Sequence, residues 1–326
     1  MLNQISQKLK DKINSFSIDD KIIFNNKYFK IDKANFTEVL SNSMVDDKTI
    51  SFIDGGQAEI ISAGNFCLSL IRVVELKFNN NKKFNQQKHE FFLLTTAESS
   101  AGDLWYESKI YGDKLIDEMD LLISSNDSSI KIGNERAAIN KVVNIARRFA
   151  ELSLAFQSTA DFIVLDGTLE KTFKNEEKYL GKLFNGTSSG SLNNTYHKKI
   201  CSLAKSSTLF TALGNSPVVL LNQIGPNGCW NYNVDHKTSF VKLHPRSKHV
   251  FRFEGNKEVL PFLVQNSHDA TFLGYPYGLI LVDKIARVTN EEKSSLSMQF
   301  LLNQQNKEIV DYLKTTNAHQ ILDNMG

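Results

Sequence analysis

The residues best placed to do chemistry are carboxylates at the ends of apolar runs. Ser51-Phe52-Ile53 delivers Asp54 to Gly55-Gly56, and Ile60-Ile61 resumes the apolar character soon after. Glycine takes positive φ without steric cost, so Gly55-Gly56 between two strand-like runs reads as a tight hairpin with Asp54 at a strand end. The pattern recurs at Phe162-Ile163-Val164-Leu165-Asp166-Gly167, and Leu279–Val282 is a third apolar run that closes on an acid, Asp283. Carboxylates gathered at one sheet edge repel one another unless a cation neutralises them. As a group, Asp54, Asp166 and Asp283 therefore make most sense as ligands of a hard ion, Mg2+ or Mn2+. Two such ions would clamp an in-line phosphoryl displacement. The plainer alternative is that each Asp begins a turn, since Asp-Gly is a common turn dipeptide.

Glu151 lies in Ala146-Arg147-Arg148-Phe149-Ala150-Glu151-Leu152, late in a stretch of helical apolar spacing. It either points along the apolar stripe to join Asp54 and Asp166, or sits on a solvated face paired with Arg147 and Arg148. Glu135 is its rival on the same helix, at a polar first turn where it would serve the helix dipole. Lys205 follows an apolar strand and precedes Ser206-Ser207, a position from which it would face a scissile phosphate or end as a surface lysine. In the stretch 240–254, Lys242, His244, Arg246, Lys248, His249 and Arg252 interleave with aromatic and aliphatic residues. As a hairpin it would have one basic and one buried face, suited to a phosphate backbone or simply amphipathic.

The elements that must position these residues follow from periodicity. Residues 1–50 read as mainly helical and polar. Strands are expected at 49–53, 59–62, 66–78 and 89–96, with 79–88 a long hairpin tip whose Lys82, Lys83 and Lys88 are open to phosphates. Helical spacing is expected over 104–124 and 134–157, the second feeding the strand that ends at Asp166, which is an α/β signature. A helix capped by Thr168 should run to Leu183, and 184–194 is a glycine- and serine-rich loop. Strands are expected at 199–203 and 217–223, a hairpin at 238–254, and a long helical region at the C-terminal end.

Composition sets the outer bounds. The chain has 326 residues with 41% hydrophobic and 23% charged content, that of an ordinary globular protein. A net charge of +2 leaves nucleic-acid binding to local basic patches. Cys67, Cys201 and Cys229 form no CxxC pair, so neither a zinc framework nor a disulfide framework is indicated. No secretory h-region or membrane-length apolar run is present, and a cytoplasmic location is expected. There is no Gly-x-Ser-x-Gly elbow, P-loop or Gly-x-Gly-x-x-Gly, so a serine hydrolase, Walker ATPase or Rossmann dehydrogenase is not indicated.

Taken in order, the pieces resemble the NurA family of nucleases, partners of the hexameric HerA DNA-translocating ATPase. The matching features are Phe52-Ile53-Asp54-Gly55-Gly56, Glu151 in Ala-Glu-Leu-Ser-Leu-Ala, Val164-Leu165-Asp166-Gly167-Thr168-Leu169 and Ala204-Lys205-Ser206-Ser207. The hairpin from Val241 to Glu254, Gly274-Tyr275-Pro276-Tyr277-Gly278-Leu279 and Asp283-Lys284-Ile285-Ala286-Arg287 complete the series. The resemblance runs from about residue 48 to the C-terminus; no single motif is specific, and their order and spacing carry it. It implies an RNase H-like mixed sheet with helical additions at both ends, a homodimer, and Mn2+-dependent DNA end resection coupled to HerA. Carried onto this chain, Asp54, Glu151 and Asp166 would be metal-binding acids and Lys205 a phosphate-facing auxiliary. Asp283 would take a fourth position where family members can have a histidine.

The expected organisation is an N-terminal helical extension over 1–47 and a nuclease domain over 48–326. The expected function is metal-dependent DNA cleavage in resection, repair or defence, with Mn2+ or Mg2+. DNA would lie along Lys242, His244, Arg246, Lys248 and Arg252. Two other classes remain open: an actin-like or sugar-kinase-like phosphotransferase, which would bind ATP tightly, and a non-catalytic DNA clamp.

Overall fold

The computed structural model describes residues 1–14, 20–40, 48–100, 102–185, 200–207 and 209–316. The chain opens with helix α1 (Leu2–Asn14) and strands β1 (Lys21–Phe24), β2 (Lys27–Lys30) and β3 (Phe36–Glu38). Strands β4 (Thr49–Ser62), β5 (Phe66–Asn79), β6 (Lys82–Ser100), β7 (Asp103–Gly112) and β8 (Ile123–Ser124) follow. Next come helix α2 (Val142–Gln157), strand β9 (Phe162–Asp166), helix α3 (Glu176–Asn185), strand β10 (Ile200–Ala204) and helix α4 (Pro217–Ile224). The remainder is β11 (Trp230–Asn233), β12 (Thr238–Lys242), β13 (Phe251–Gly255), α5 (Leu260–Gln265), α6 (Tyr277–Ala286), α7 (Asn290–Leu302) and α8 (Lys307–Thr316). Contacts divide the chain into two compact units, one of residues 1–48, 166–169 and 200–277, the other of 49–165, 170–199 and 278–326.

In the larger unit β4, β5, β6 and β7 form an antiparallel meander, with β8 on β7. The chain then crosses through α2 and returns as a strand parallel to β4, pairing Ile50 with Phe162 through Ile53 with Leu165. The antiparallel run β4 to β8, then helix α2, then a strand parallel to β4 make a mixed sheet in an α/β fold. The helix forms because Val142, Ile145, Ala146, Phe149 and Leu152 recur on one face, and all are buried. Phe149 stacks on Tyr179 of α3 with ring centroids 4.5 Å apart. At the other end of β4, Ile60, Ile61 and Leu70 pack beneath Leu296, Phe300, Ile309 and Leu313 of α7 and α8.

In the smaller unit the strands run in the order β3-β11-β12-β13-β10, each pair antiparallel, and β1-β2 forms a separate hairpin. Its core gathers Ile22, Phe24, Leu220, Leu221, Trp230, Tyr232 and Phe240. Asp20, 2% exposed, fastens the start of β1. It accepts hydrogen bonds from the Lys21 and Leu213 amides at 2.8 and 3.2 Å and from Asn215 Nδ2 at 3.4 Å. Burial pushes its carboxyl up, but these bonds together with one from Thr211 outweigh burial and hold it below the usual carboxylate range. A depressed folded-state pKa contributes stability that is present above the unfolded value of ~3.9 and is lost as pH falls through the folded value. Asp20→Ala is therefore expected to cost about 2 kcal/mol at neutral pH. Chemical denaturation at neutral and acidic pH should show the deficit shrinking in acid.

Several sequence expectations are corrected. Gly55-Gly56 is no turn: β4 runs straight through it, because a closely packed strand also selects glycine. The loop at 79–88 shrinks to Asn80-Asn81, both at positive φ (45° and 60°), with β6 extending back to Lys82. The expected helix at 104–124 is instead β7, where Tyr106, Ser108 and Ile110 are buried and alternate with outward residues, followed by a 3-10 turn at Glu118–Leu121 and β8. Residues 217–223 form a helix, not a strand: Pro217 opens it, and Pro217, Leu220 and Leu221 are buried at helical spacing. Thr168 does not open a helix, since α3 begins at Glu176. Among its described residues, the N-terminal stretch has the α-helix α1 and a 3-10 turn at Lys33–Asn35, and it also supplies β1, β2 and β3. Most of the 184–194 loop lies outside the described residues.

Candidate active site

The alternation of a strand decides what faces what. A Cβ on Gly55 would lie 2.6 Å from Glu151 Oε1 and 2.9 Å from Arg147 Cγ, so this residue presents its α-carbon to α2. A Cβ on Gly56 would lie 2.0 Å from the Ala286 carbonyl oxygen, so this one presents it to the end of α6. Gly278, at the start of α6, abuts the Phe52 ring, where a Cβ would be 2.1 Å away. Phe52, Asp54 and Gly56 therefore share the α6 face of β4. Glycines at 56 and 278 let α6 lie directly on that face.

Asp54 is 8% exposed, and its Oδ1 accepts the Gly55 amide at 2.8 Å. Because Ile53 pairs with Leu165, the next residue of β9, Asp166, arrives at the same level of the parallel strands. Asp283 rides on α6 and is ion-paired with Arg287, one turn on, at 2.7 Å. Each of the three acids offers a carboxylate oxygen, and these oxygens all lie within 4.8 Å of one another. Asp283 thus joins the other two from a helix rather than from the strand end its apolar run suggested.

Asp166 has two further partners. Lys205 Nζ, just past β10, lies 2.7 Å from its Oδ2, and the Tyr275 hydroxyl approaches its Oδ1 at 3.4 Å. The Lys205 ammonium also stands 5.6 Å from the Tyr275 ring centroid. Tyr275 is a site residue that sequence reasoning missed. Its only signal was its place in Gly274-Tyr275-Pro276-Tyr277-Gly278, which assigns no role to the tyrosine.

Glu151 is buried on α2, where it pairs with Arg147 at 3.0 Å while Arg147 donates to the Gly55 carbonyl at 2.9 Å. It reaches β4 from the face opposite to Asp54 and is not among the three clustered acids. Glu135 is exposed in the segment before α2. The expected hairpin exists, with Val241 opposite Phe251 and Thr238 opposite Glu254. Arg246 and Lys248 are exposed at its connection, and Lys242 is half-buried.

Two of its members are turned inward. Arg252, 6% exposed, is paired with Glu254 at 2.7 Å and lies over the Phe24 ring, so its charge is spent inside the smaller unit. His244 is buried edge-on against His268 at 4.9 Å and accepts the Arg246 amide on Nδ1. Burial and the neighbouring positive charges lower its pKa.

No protein-family model matches the chain, and no curated protein matches it in sequence. Solved structures similar to it include Ciona intestinalis Endonuclease V in complex with a 24mer DNA containing an inosine followed by a ribo-adenosine (12% identity, 73% of this chain and 84% of that one, TM-score 0.36). Human ENDOV gives 10% identity, 78% and 91% coverage and a TM-score of 0.38. A. aeolicus Argonaute gives 12% identity, 74% of this chain but 28% of that one, and a TM-score of 0.30. These likenesses are distant.

Proposed function

We propose that this chain is a metal-dependent nuclease acting on DNA. The observation that supports it is the convergence of Asp54, Asp166 and Asp283, with carboxylate oxygens all within 4.8 Å of one another. The donor set fits a hard divalent cation: all three donors are carboxylate oxygens, and acids this close favour a positive charge among them. Bound there, Mn2+ or Mg2+ would supply Lewis acidity toward a phosphodiester. Asp54, Asp166 and Asp283 are the residues that hold it. Tyr275 orients Asp166, and the Lys205 ammonium, paired with Asp166 at 2.7 Å, is the cation proposed to face a phosphate oxygen. Arg246 and Lys248 are the exposed cations of the β12–β13 connection proposed to contact the DNA backbone.

The finer assignment rests on the order of motifs: a NurA-like enzyme, working as a homodimer with a HerA-type hexameric ATPase in end resection, repair or defence. End-labelled linear DNA should be degraded by the purified chain with Mn2+ and preserved when EDTA is added. Absence of degradation, with and without such an ATPase, would overturn the proposal; tight ATP binding in its place would favour a phosphotransferase. Lys205→Met is expected to lower kcat about 100-fold. The Mn2+ concentration giving half-maximal activity should change much less, because the three acids remain.

A further inference from the structure

Four rings are packed together on the smaller unit, running from His249 to Tyr275 both through Phe272 and through Phe251, on which His249 also stacks at 6.2 Å. His249 stacks on Phe272 with centroids 4.7 Å apart and planes 27° from parallel. Phe272 meets Tyr275 at 5.5 Å, and Phe251 meets Tyr275 at 5.1 Å. The outer end of the group is open: His249 is exposed and Phe272 is 38% exposed. Its inner end is Tyr275, 1% exposed, whose hydroxyl reaches Asp166.

The backbone beneath the outer rings is fixed. Gly274, at φ +92°, is pressed on Ser247, where a Cβ would lie 2.5 Å from both Cβ and Oγ. The same Ser247 hydroxyl accepts the His249 amide at 3.0 Å. Asp269 Oδ1 accepts the Thr271 amide at 2.8 Å, and the Gly274 amide donates to the Ser267 carbonyl at 2.9 Å. Both outer rings are thus anchored around one serine. The exposed cations Arg246 and Lys248 lie in the same connection as His249.

We propose that His249 and Phe272 form a stacking platform for an unpaired nucleobase, so that the substrate is a strand with a single-stranded segment. Near-parallel rings with exposed surface accept a flat π-system of any base, and flanking cations suit the phosphates on either side of it. Tyr275 links the platform to Asp166 within the smaller unit. This rests on the nuclease reading and deepens it by naming the form of nucleic acid.

The test uses the full chain with EDTA present, so that no cleavage intervenes, and a single-stranded oligonucleotide carrying 2-aminopurine. The wild-type chain should quench the probe on binding. Phe272→Ala should weaken binding about tenfold, while Phe272→Trp retains it. An abasic analogue should bind the wild-type chain about as weakly as the intact strand binds Phe272→Ala, and blunt duplex should be little affected. If Phe272→Ala misfolds, His249→Ala carries the same test. Wild-type affinity in both alanine variants, or equal losses for single strand and duplex, would overturn the platform. The two readings fail separately. Mn2+-dependent cleavage with no effect of Phe272→Ala removes the platform alone. Base-dependent binding in a chain that never cleaves removes the nuclease and leaves the platform.

Discussion

Asp54→Asn is expected to abolish metal-dependent cleavage, with a fall on the order of 1,000-fold or more, while DNA affinity measured in EDTA stays close to that of the wild type. Asparagine keeps the shape and can still accept the Gly55 amide through its Oδ1, so the local backbone has no reason to move. What it loses is a negative charge in a group of three. Removing one like charge relieves repulsion, so the variant should melt at the same temperature or slightly higher without metal. Adding Mn2+ reverses the order. The wild-type chain should gain thermal stability through binding, and Asp54→Asn and Asp166→Asn should gain little. Full cleavage by Asp54→Asn would sink the assignment, and so would equal Mn2+ stabilisation of all three chains.

Gly56→Ala and Gly278→Ala should be the most destabilising single-methyl changes at the site. A methyl on Gly56 would stand 2.0 Å from the Ala286 carbonyl oxygen, and one on Gly278 would stand 2.1 Å from the Phe52 ring. Neither neighbour yields cheaply. One is helix backbone, and the other is a fully buried ring packed edge-on against Phe78 with centroids 5.4 Å apart. The methyl must therefore push α6 off β4, at a cost of about 3 kcal/mol in each case. Because Asp283 travels with α6, Mn2+ binding should fall with stability. Isothermal titration at a temperature where both variants remain folded would show this. Variants that melt and bind metal like the wild type would mean that α6 does not rest on β4 through these two glycines.

Both of these effects were half legible in the sequence. Asp54 and Asp166 stood out because each ends a buried-type run, and the parallel pairing of β4 with β9 is what a helix between two such runs leads one to expect. Gly55-Gly56 was visible too, but its meaning was not: a turn and a close approach both select glycine, and only the packing of α2 and α6 tells them apart. Leu279–Val282 is a short apolar run, and such runs carry no period that distinguishes strand from buried helix. Asp283 does lie beside Asp54 and Asp166, but on a helix and not at a strand end. Residues 217–223 failed for the same reason, with Pro217 the overlooked cue. Glu151 shows a different limit. Helical spacing puts it on the buried side of α2, but whether α2 lies on the same face of the sheet as Asp54 is a property of tertiary packing. Tyr275 was invisible because its role comes from a hydroxyl pointing at a residue more than a hundred positions away.

The two-faced character of β4 also bears on how the chain can change in length. One face meets α6 through Phe52, Asp54 and Gly56; the other meets α2 through Gly55. Removing or adding one residue between Thr49 and Ile53 would rotate every later side chain of the strand to the wrong side. An insertion would put Asp54 where Gly55 now meets Arg147, and a deletion would drive Gln57, which has a Cβ, toward the Ala286 carbonyl. An insertion in the segment between β8 and α2 meets no such parity rule, because no ladder there counts residues in twos. Drift in length at this protein's surface and strict preservation of length in a short stretch of β4 are therefore compatible, and the sheet's period of two is what separates them.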